Sequence, residues 1–324
     1  MKKLLFILIA IGLVGAVAAY TMLQSEWSAT GPLTEPVNVT IPRGATGTSA
    51  ARLLEEKGVL ADADRYLLLR RLFGGEGTVR AGEFRFPAGT SPAGALDILR
   101  NASVVQRRIT IPEGLPSVMV HDRLMAADFL TGDVDIPAEG SVLPDTYNYE
   151  RGETRAAVLA RMQQAMTDTL AELWKGRAGD IAVSTPEEAV ILAAVIEKET
   201  AKAEERRMVA GVYTNRLKAG IPLQADPTII YPITKGRPLG RRILRSEIDA
   251  VNDYNTYSMI GLPKGPIANP GRASIAAALN PQKTEALFFV ADGTGGHIFA
   301  NTLAEHNANV RKWYAIRRER GEMR

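Results

Sequence analysis

Two glutamates follow directly on a strongly apolar segment, and they are the best candidates in the sequence for acid–base chemistry. Residues 190–196 are apolar on nearly every side of a helix, and the chain continues with Glu197, Lys198 and Glu199. A carboxyl held among apolar side chains loses hydration, which raises its pKa and lets it donate a proton near neutral pH. The sequence therefore predicts a carboxyl that acts as a general acid and base.

The spacing of the two glutamates favours Glu199 over Glu197. At about 100° per residue, side chains two positions apart point in nearly opposite directions, so only one of them can enter a given cleft. Glu199 lies three and four residues after Ile196 and Val195, which places it on the stripe of large apolar side chains. We predict Glu199 as the acid–base residue and Glu197 as the second candidate. The alternative is that both are ordinary charges at a helix end, paired with nearby lysine and arginine side chains.

The helix that must position these glutamates has clear start signals. Thr185 is suited to cap the helix, Pro186 to occupy its first position, and Glu188 to complete a capping box three residues after the cap. Together these signals predict a buried helix over residues 186–200.

The composition excludes several other kinds of chemistry. The 324 residues include no cysteine, which removes disulfides, thiol nucleophiles and cysteine metal sites. His121, His297 and His306 lie far apart and show no metal-binding spacing. We therefore predict neither a metal nor a cofactor. A net charge of +3 with dispersed basic residues also argues against nucleic acid as a partner.

Polar residues further along the chain are candidates for contacts with a substrate. Gln224, Asp226, Asn255 and Tyr257 lie in turn-like contexts beside apolar runs, and His297 follows a glycine-rich turn. We predict that these five side chains bind substrate or support the glutamate. The alternative is that Asp226 and Asn255 are turn formers or helix caps, and that His297 is a structural histidine.

The second half of the chain reads as a helix-rich domain with a small sheet, over residues 136–324. Its predicted helices cover residues 154–174, 186–200, 204–219 and 301–318, and its predicted short strands lie near residue 229 and at 286–291. The turn-rich segment 139–147 is either a domain junction or part of the cleft. We predict the α+β class for the whole chain.

The first half repeats a short unit of strand, turn and helix. Residues 40–44, 85–89 and 110–114 each end an apolar strand in Pro-x-Gly, which stops a sheet ladder and turns the chain. Helical patterns follow at residues 49–57, 62–72, 91–101 and 117–127. We predict a small α/β module over residues 37–135. It is either a plain spacer or a glycan-binding module that resembles the LysM fold.

The first residues predict a single membrane-spanning helix. Lys2 and Lys3 precede an uncharged and almost wholly apolar stretch at residues 4–23, which has the length a helix needs to cross a bilayer. The two lysines keep the N-terminus in the cytoplasm, so the rest of the chain is exported. We predict an anchor at residues 1–23 and a linker at 24–36. The alternative is a cleaved signal peptide, because residues 16–18 form a small-x-small pattern.

Five segments of the second half, taken together, carry a resemblance to a known family. They are 194–200 (AVIEKET), 223–231 (LQADPTIIY), 254–257 (YNTY), 261–267 (GLPKGPI) and 289–297 (FVADGTGGH). In this order they closely resemble the endolytic murein transglycosylase (YceG-like) family. The resemblance covers nearly the whole chain, including the apolar start, but the specific motifs lie between about residues 140 and 307.

The resemblance implies a lyase that cuts inside peptidoglycan glycan strands and leaves 1,6-anhydro ends. It places the catalytic glutamate in the Glu-Lys-Glu-Thr motif, which we assign to Glu199. It also implies a single-pass protein of the cell inner membrane with a periplasmic catalytic part. The implied role is to end glycan polymerisation in association with peptidoglycan synthases. Two other functions stay open, namely a non-catalytic peptidoglycan-binding scaffold and a hydrolytic glycosidase that uses Asp226 as a second carboxylate.

Overall fold

Helices dominate the structure, with two-stranded sheets between them. The structure is a computed structural model that describes residues 2–75 and 77–321. This mixture of many helices and small sheets, with one apolar helix at the N-terminus, is the architecture that the sequence predicts. The chain divides into two compact units, one formed by residues 1–107 with 149–152 and the other by residues 108–148 with 153–324.

The N-terminal helix α1 (Lys2–Ser28) is apolar and long enough to cross a membrane. It takes in the first five residues of the predicted linker, residues 24–28. The helix continues into these residues because its last turns pack within the first unit. Trp27 is 9% exposed and stacks on Tyr66 at 5.8 Å between ring centroids, while Glu26 accepts a hydrogen bond of 2.7 Å from Arg65 Nε.

The first unit continues with β1 (Val37–Ile41), α2 (Gly47–Glu56), α3 (Ala63–Phe73), β2 (Gly82–Phe86) and α4 (Pro92–Asn101). The strands β1 and β2 pair antiparallel, with Val39 opposite Phe84. Both strands end in the predicted Pro-x-Gly turns, where Gly44 and Gly89 take φ values of +78° and +69° that favour glycine. The alternating inward residues of the strands and the apolar faces of the helices form one core.

The remaining elements lie in the second unit, except that residues 106–107 and 149–150, at the ends of two strands, belong to the first unit. In chain order they are β3 (Gln106–Thr110), which begins at the boundary, α5 (Ser117–Ala126), β4 (Thr146–Glu150), α6 (Arg155–Lys175), α7 (Pro186–Glu199), α8 (Arg206–Lys218), α9 (Asp226–Thr234), α10 (Arg245–Ile248), α11 (Arg272–Leu279), β5 (Phe288–Ala291), β6 (His297–Ala300) and α12 (Leu303–Glu319). The sheets pair β3 with β4 and β5 with β6. All four helices that the sequence predicts in this half form, at 154–174, 186–200, 204–219 and 301–318. The predicted strand at 286–291 also forms.

The third strand–turn–helix repeat belongs mainly to the second unit, and the units divide near residue 107. A buried asparagine explains the assignment. Asn269 is 0% exposed, and its Nδ2 donates to the Leu115 carbonyl at 2.9 Å and to Ser117 Oγ at 3.0 Å. Its Oδ1 accepts the backbone N–H of Val142 at 3.0 Å, which ties the predicted junction segment into the same unit.

Helix α7 lies at the centre of the second unit. Thr185 caps it, its Oγ1 accepting from the Glu188 N–H at 3.1 Å. Residues 192–196 are each 0% exposed and pack against α6, α8, α9 and α11. A helix buried on nearly all sides is rigid because its side chains have no room to move, so its C-terminal end is a fixed platform.

The strand predicted near residue 229 is wrong, because this segment forms helix α9. The β-branched run from Thr228 to Ile230 favours a strand by propensity. However, Asp226 and Pro227 in the first turn suit a helix start. Ile229 is 2% exposed on a helix that packs against α7, and this packing outweighs the propensity.

Candidate active site

Glu199 is the last residue of α7, at the end of the buried platform. The residue as a whole is partly exposed, but its Oε1 is buried and has no hydrogen-bond partner among the described residues. Burial raises the pKa of Glu199 to about 7; the Tyr213 hydroxyl opposes this shift, the charge of Asp226 adds to it, and Arg216 opposes it. The desolvated carboxyl that the sequence predicts is confirmed, and it can both lose and regain a proton near neutral pH.

Helix α8 supplies Tyr213 and Arg216, two neighbours of Glu199 that the sequence analysis missed. Tyr213 is 1% exposed, and its ring packs edge-on against Phe289 at 5.8 Å. Burial, followed by the charge of Glu199, raises the pKa of the Tyr213 hydroxyl well above its ordinary value. Tyr213 therefore stays a neutral donor beside the carboxyl.

Arg216 is a buried cation held by backbone carbonyls. It is 7% exposed, its Nη1 donates to the carbonyls of Pro222 and Leu223 at 3.0 and 2.9 Å, and its Nε donates to the Leu287 carbonyl at 2.6 Å. Burial lowers the pKa of the guanidinium, which still remains charged. Nothing in the sequence separates Arg216 from the other basic residues of α8, because burial depends on packing against distant segments.

The loop before α9 brings Gln224 next to Arg216. Gln224 has a φ of +54°, a left-handed conformation that costs a non-glycine residue about 1 kcal/mol. Its backbone N–H donates to the Thr256 carbonyl at 3.1 Å, and its Oε1 accepts from Arg216 Nη1 at 3.3 Å. The surrounding loop thus holds Gln224 in a strained conformation while its side chain stays exposed.

Asp226 and Tyr257 form a hydrogen-bonded pair beside Glu199. Tyr257 Oη donates to Asp226 Oδ1 at 2.6 Å, and the hydroxyls of Thr228 and Thr256 join their two segments at 2.9 Å. Burial raises the pKa of Tyr257, and the hydrogen bond to Asp226 and the charges of Asp226 and Glu199 raise it further. The structure therefore brings Gln224, Asp226 and Tyr257 into the neighbourhood of Glu199.

Asn255 is a support of the loop instead. It is 0% exposed, its Nδ2 donates to the carbonyls of Ile248 and Ala250 at 2.9 and 2.6 Å, and its Oδ1 accepts from the Tyr257 N–H at 3.0 Å. With these groups engaged, the side chain has no surface to offer a substrate. These contacts agree with the turn-former alternative for Asn255.

His297 also has a structural position, at the start of β6. Its Nδ1 lies 2.7 Å from Glu205 Oε2, and its backbone N–H donates to Glu205 Oε1 at 2.9 Å. Its ring packs edge-on against Phe289 at 5.1 Å, and Phe289 in turn contacts Tyr213. His297 is thus connected to the site through Phe289, as the structural alternative describes.

Glu197 points away from Glu199, as the helical spacing predicts. Its side chain is 6% exposed, and its Oε1 lies 3.7 Å from Arg206 Nη2. Its Oε2 accepts the backbone N–H of Gly271 at 2.9 Å, where Gly271 is the N-terminal cap of α11. A carboxylate at that position satisfies a free helix donor, so Glu197 is engaged in the fold.

A second buried carboxyl, Glu139, differs from Glu199 in having several hydrogen-bond partners. Burial raises the pKa of Glu139, yet its Oε1 accepts from the Ser117 N–H at 2.8 Å and from Asn269 Nδ2 at 3.3 Å. Glu199 therefore combines burial with an unpartnered oxygen. Within residues 2–75 and 77–321, no group of three or more His, Cys, Asp or Glu side chains is arranged to hold a metal ion.

The fold and the site together define a helix-rich α+β protein with a buried carboxyl suited to proton transfer. The sequence profile of the YceG-like family matches residues 39–312. The chain belongs to this family.

Two named relatives are each 34% identical to this chain over the residues that align. The endolytic murein transglycosylase of Bacillus subtilis (strain 168) is 34% identical over 193 residues, which are 60% of this chain and 52% of the relative. The endolytic murein transglycosylase of Streptococcus pneumoniae serotype 2 (strain D39) is 34% identical over 179 residues, which are 53% of this chain and 31% of the relative. The chain thus spans about half the length of the first relative and about a third of the second.

A solved structure shows the same fold. The crystal structure of a yceG-like protein from Listeria monocytogenes superposes with a TM-score of 0.52 at 24% sequence identity. The match covers 85% of this chain and 99% of that chain.

Proposed function

We propose that the protein is an endolytic lytic transglycosylase that cuts peptidoglycan glycan strands and leaves 1,6-anhydro ends. The observation that carries the proposal is the Glu199 carboxyl, which is buried, has one unpartnered oxygen and has a pKa of about 7. Membership of the YceG-like family and the names of the bacillary and pneumococcal relatives support the choice of substrate.

One carboxyl is sufficient for this reaction. Protonated Glu199 donates its proton to the oxygen that links N-acetylmuramic acid to N-acetylglucosamine, and the bond from that oxygen to C1 breaks. The ionised Glu199 then takes the proton from the C6 hydroxyl of the muramic acid, whose oxygen bonds to C1. Because the nucleophile belongs to the same sugar, its effective concentration is high and no second group has to activate water. Glu199 ends in its starting protonation state.

The neighbours of Glu199 suit both halves of this cycle. Burial keeps the carboxyl protonated for the first step, while Tyr213 and Arg216 stabilise the ionised form that exists between the two proton transfers. An acid with a pKa near the working pH gives and accepts a proton with little cost in either direction.

Gln224, Asp226 and Tyr257 are the proposed substrate contacts. The side chains of Gln224 and Asp226 are exposed beside Glu199, and amide and carboxylate groups can bind sugar hydroxyls and N-acetyl groups. We assign Tyr257 to hold Asp226 in place through their hydrogen bond.

The other parts of the chain suit an enzyme of the cell envelope. We propose that α1 is a single-pass inner-membrane anchor that leaves the second unit in the periplasm. The order strand, helix, helix, strand in the first unit supports a LysM-like module that binds glycan. Family resemblance supports a role in ending glycan elongation beside peptidoglycan synthases.

A hydrolytic glycosidase is the second candidate, and one observation favours it. The charge of Asp226 raises the pKa of Glu199, so a second carboxylate lies near the proposed acid. Glycosidases that use water need such a pair.

Digestion of purified peptidoglycan in ¹⁸O-labelled water separates the two reactions. A lytic transglycosylase releases anhydro-muramyl ends that contain no label, because no water enters the product. A hydrolase releases reducing ends that contain one ¹⁸O. Labelled reducing ends would replace the proposed function by the second candidate, and release of no product at all would favour a binding role.

A further inference from the structure

Helix α7 ends abruptly, and the segment that follows Glu199 has no regular structure until α8 begins at Arg206. Thr200, the C-terminal cap, has an extended backbone and is 3% exposed. Its Oγ1 accepts the N–H of Lys202 at 3.1 Å and donates to Glu205 Oε2 at 3.3 Å. One carboxylate therefore closes the segment 200–205 on itself, directly beside the proposed acid.

The same carboxylate joins this segment to the hairpin formed by β5 and β6. Glu205 Oε1 accepts the backbone N–H of His297 at 2.9 Å, and Oε2 accepts the Nδ1–H of the His297 ring at 2.7 Å. Both side chains are largely buried, at 14% and 15% exposed. Burial acts to raise the pKa of Glu205, but the hydrogen bonds and the charge of His297 outweigh it, and the pKa is lowered. Glu205 is therefore an ionised acceptor of strong hydrogen bonds.

The hairpin has room for the Glu205 carboxylate because residue 296 is a glycine. A Cβ at Gly296 would lie 2.4 Å from Glu205 Oε1 and 2.5 Å from Lys202 Nζ, so a side chain at this position would displace the contact. The turn itself is fixed, because Asp292 Oδ1 accepts the N–H groups of Thr294 and Gly296 at 2.6 and 3.0 Å. Glu205 thus attaches the end of α7 to a rigid element.

We propose that Glu205 is a positioning residue for Glu199: its carboxylate fixes the end of α7 by binding Thr200 on one side and His297 on the other. A second route reaches Glu199 through the ring of Phe289, which packs between His297 and Tyr213. The inference rests on the proposed function for its effect on catalysis. The contacts themselves exist whatever reaction the protein performs.

The test compares Glu205→Ala with Glu204→Ala in the 324-residue chain in detergent. Glu204 is exposed and adjacent, so its variant removes the same charge from nearly the same place. Hydrogen–deuterium exchange at residues 196–205 is the first readout and does not depend on activity. The proposal expects faster exchange there in Glu205→Ala alone, because the segment loses its attachment.

The second readout is the pH profile of peptidoglycan cleavage. A looser segment admits water to Glu199, so the upper pH limit of activity moves to lower pH in Glu205→Ala, and kcat falls roughly 10- to 100-fold with KM little changed. Glu205→Gln keeps one acceptor oxygen and should give an intermediate result.

Unchanged exchange in Glu205→Ala would overturn the proposal. So would faster exchange with an unshifted pH limit, since that would mark a purely structural contact. If the wild-type chain releases no product, the proposed function is overturned instead. Hydrogen–deuterium exchange at residues 196–205 would then be the only readout of whether Glu205 fixes the end of α7.

Discussion

At the residue scale, the proposed reaction depends on the protonation state of Glu199. The proposed reaction begins with the protonated carboxyl, whose pKa is about 7 in the folded chain. We therefore expect kcat/KM on peptidoglycan to fall tenfold per pH unit above about 7, as one proton is lost. Initial rates between pH 5 and 9 measure this limit. A limit near the ordinary glutamate value of 4.5 would contradict the raised pKa of Glu199. A profile that stays flat to pH 9 would show that Glu199 is not the acid.

The same burial makes Glu199 a source of instability above neutral pH. Its pKa is raised in the folded chain from 4.5 to about 7. Between these values the unfolded chain loses a proton that the folded chain keeps, so the free energy of unfolding falls as pH rises through this window. Well above pH 7 the ionised, buried carboxyl costs about 3 kcal/mol.

Glu199→Gln should therefore stabilise the protein at pH 8 and have little effect at pH 5. Glutamine has nearly the same shape but does not ionise, so it avoids the cost that appears above pH 7. Thermal unfolding of both proteins at the two pH values measures the difference. An equal change at both pH values, or a loss of stability at pH 8, would contradict the burial of an ionisable Glu199.

The sequence could predict the acid but not its surroundings. The position of Glu199 follows from helical periodicity, which is a local property. Tyr213 and Arg216 lie near Glu199 only because α8 packs against α7, and no local pattern reports that contact. Asn255 lies in a turn and His297 directly after one. At such positions, a sequence cannot distinguish a polar side chain that supports the backbone from one that contacts a ligand.

At the scale of elements, Glu197 secures the contact between α7 and α11. Its carboxylate accepts the Gly271 N–H at 2.9 Å at the start of α11 and is nearly buried. Glu197→Gln should lower the free energy of unfolding by about 1 to 3 kcal/mol, because a charged hydrogen bond at a helix N-terminus is weakened. The folded variant should keep most of its activity. Chemical denaturation and product assays check the two expectations, and full stability with no activity would move the catalytic role to Glu197.

Elements with strong local signals form as predicted, and an element decided by packing does not. Helix α7 has a threonine cap, a proline at its first position and a long apolar run, and it forms within one residue of the predicted bounds. The segment around Ile229 has β-branched residues but forms α9, because it packs on the buried helix. Propensity is a weak guide wherever such a contact is available.

At the scale of the whole molecule, α1 is the candidate membrane anchor. The small-x-small pattern at residues 16–18 lies inside a continuous helix that runs to Ser28, and the end of this helix packs in the first unit through Trp27. We expect the helix to remain attached as an anchor. Intact mass after detergent extraction should include residues 1–18, and alkaline washing should leave the protein in the membrane. A mass that begins after residue 18 would show a cleaved signal peptide instead.

The division into units depends on long-range contacts that a repeat in the sequence does not reveal. The three Pro-x-Gly repeats look equivalent, yet the third lies in the second unit because Asn269 binds Leu115 and Ser117 across about 150 residues. The second unit also contains every residue of the candidate site.

The most direct test of the account is mass spectrometry of the products that the 324-residue chain and its Glu199→Gln and Glu197→Gln variants release from purified peptidoglycan. The account predicts anhydro-muramyl products from the unmodified chain and from Glu197→Gln, and none from a folded Glu199→Gln. Anhydro products that persist in Glu199→Gln would contradict the assignment of the acid, and their absence from all three proteins would contradict the reaction itself.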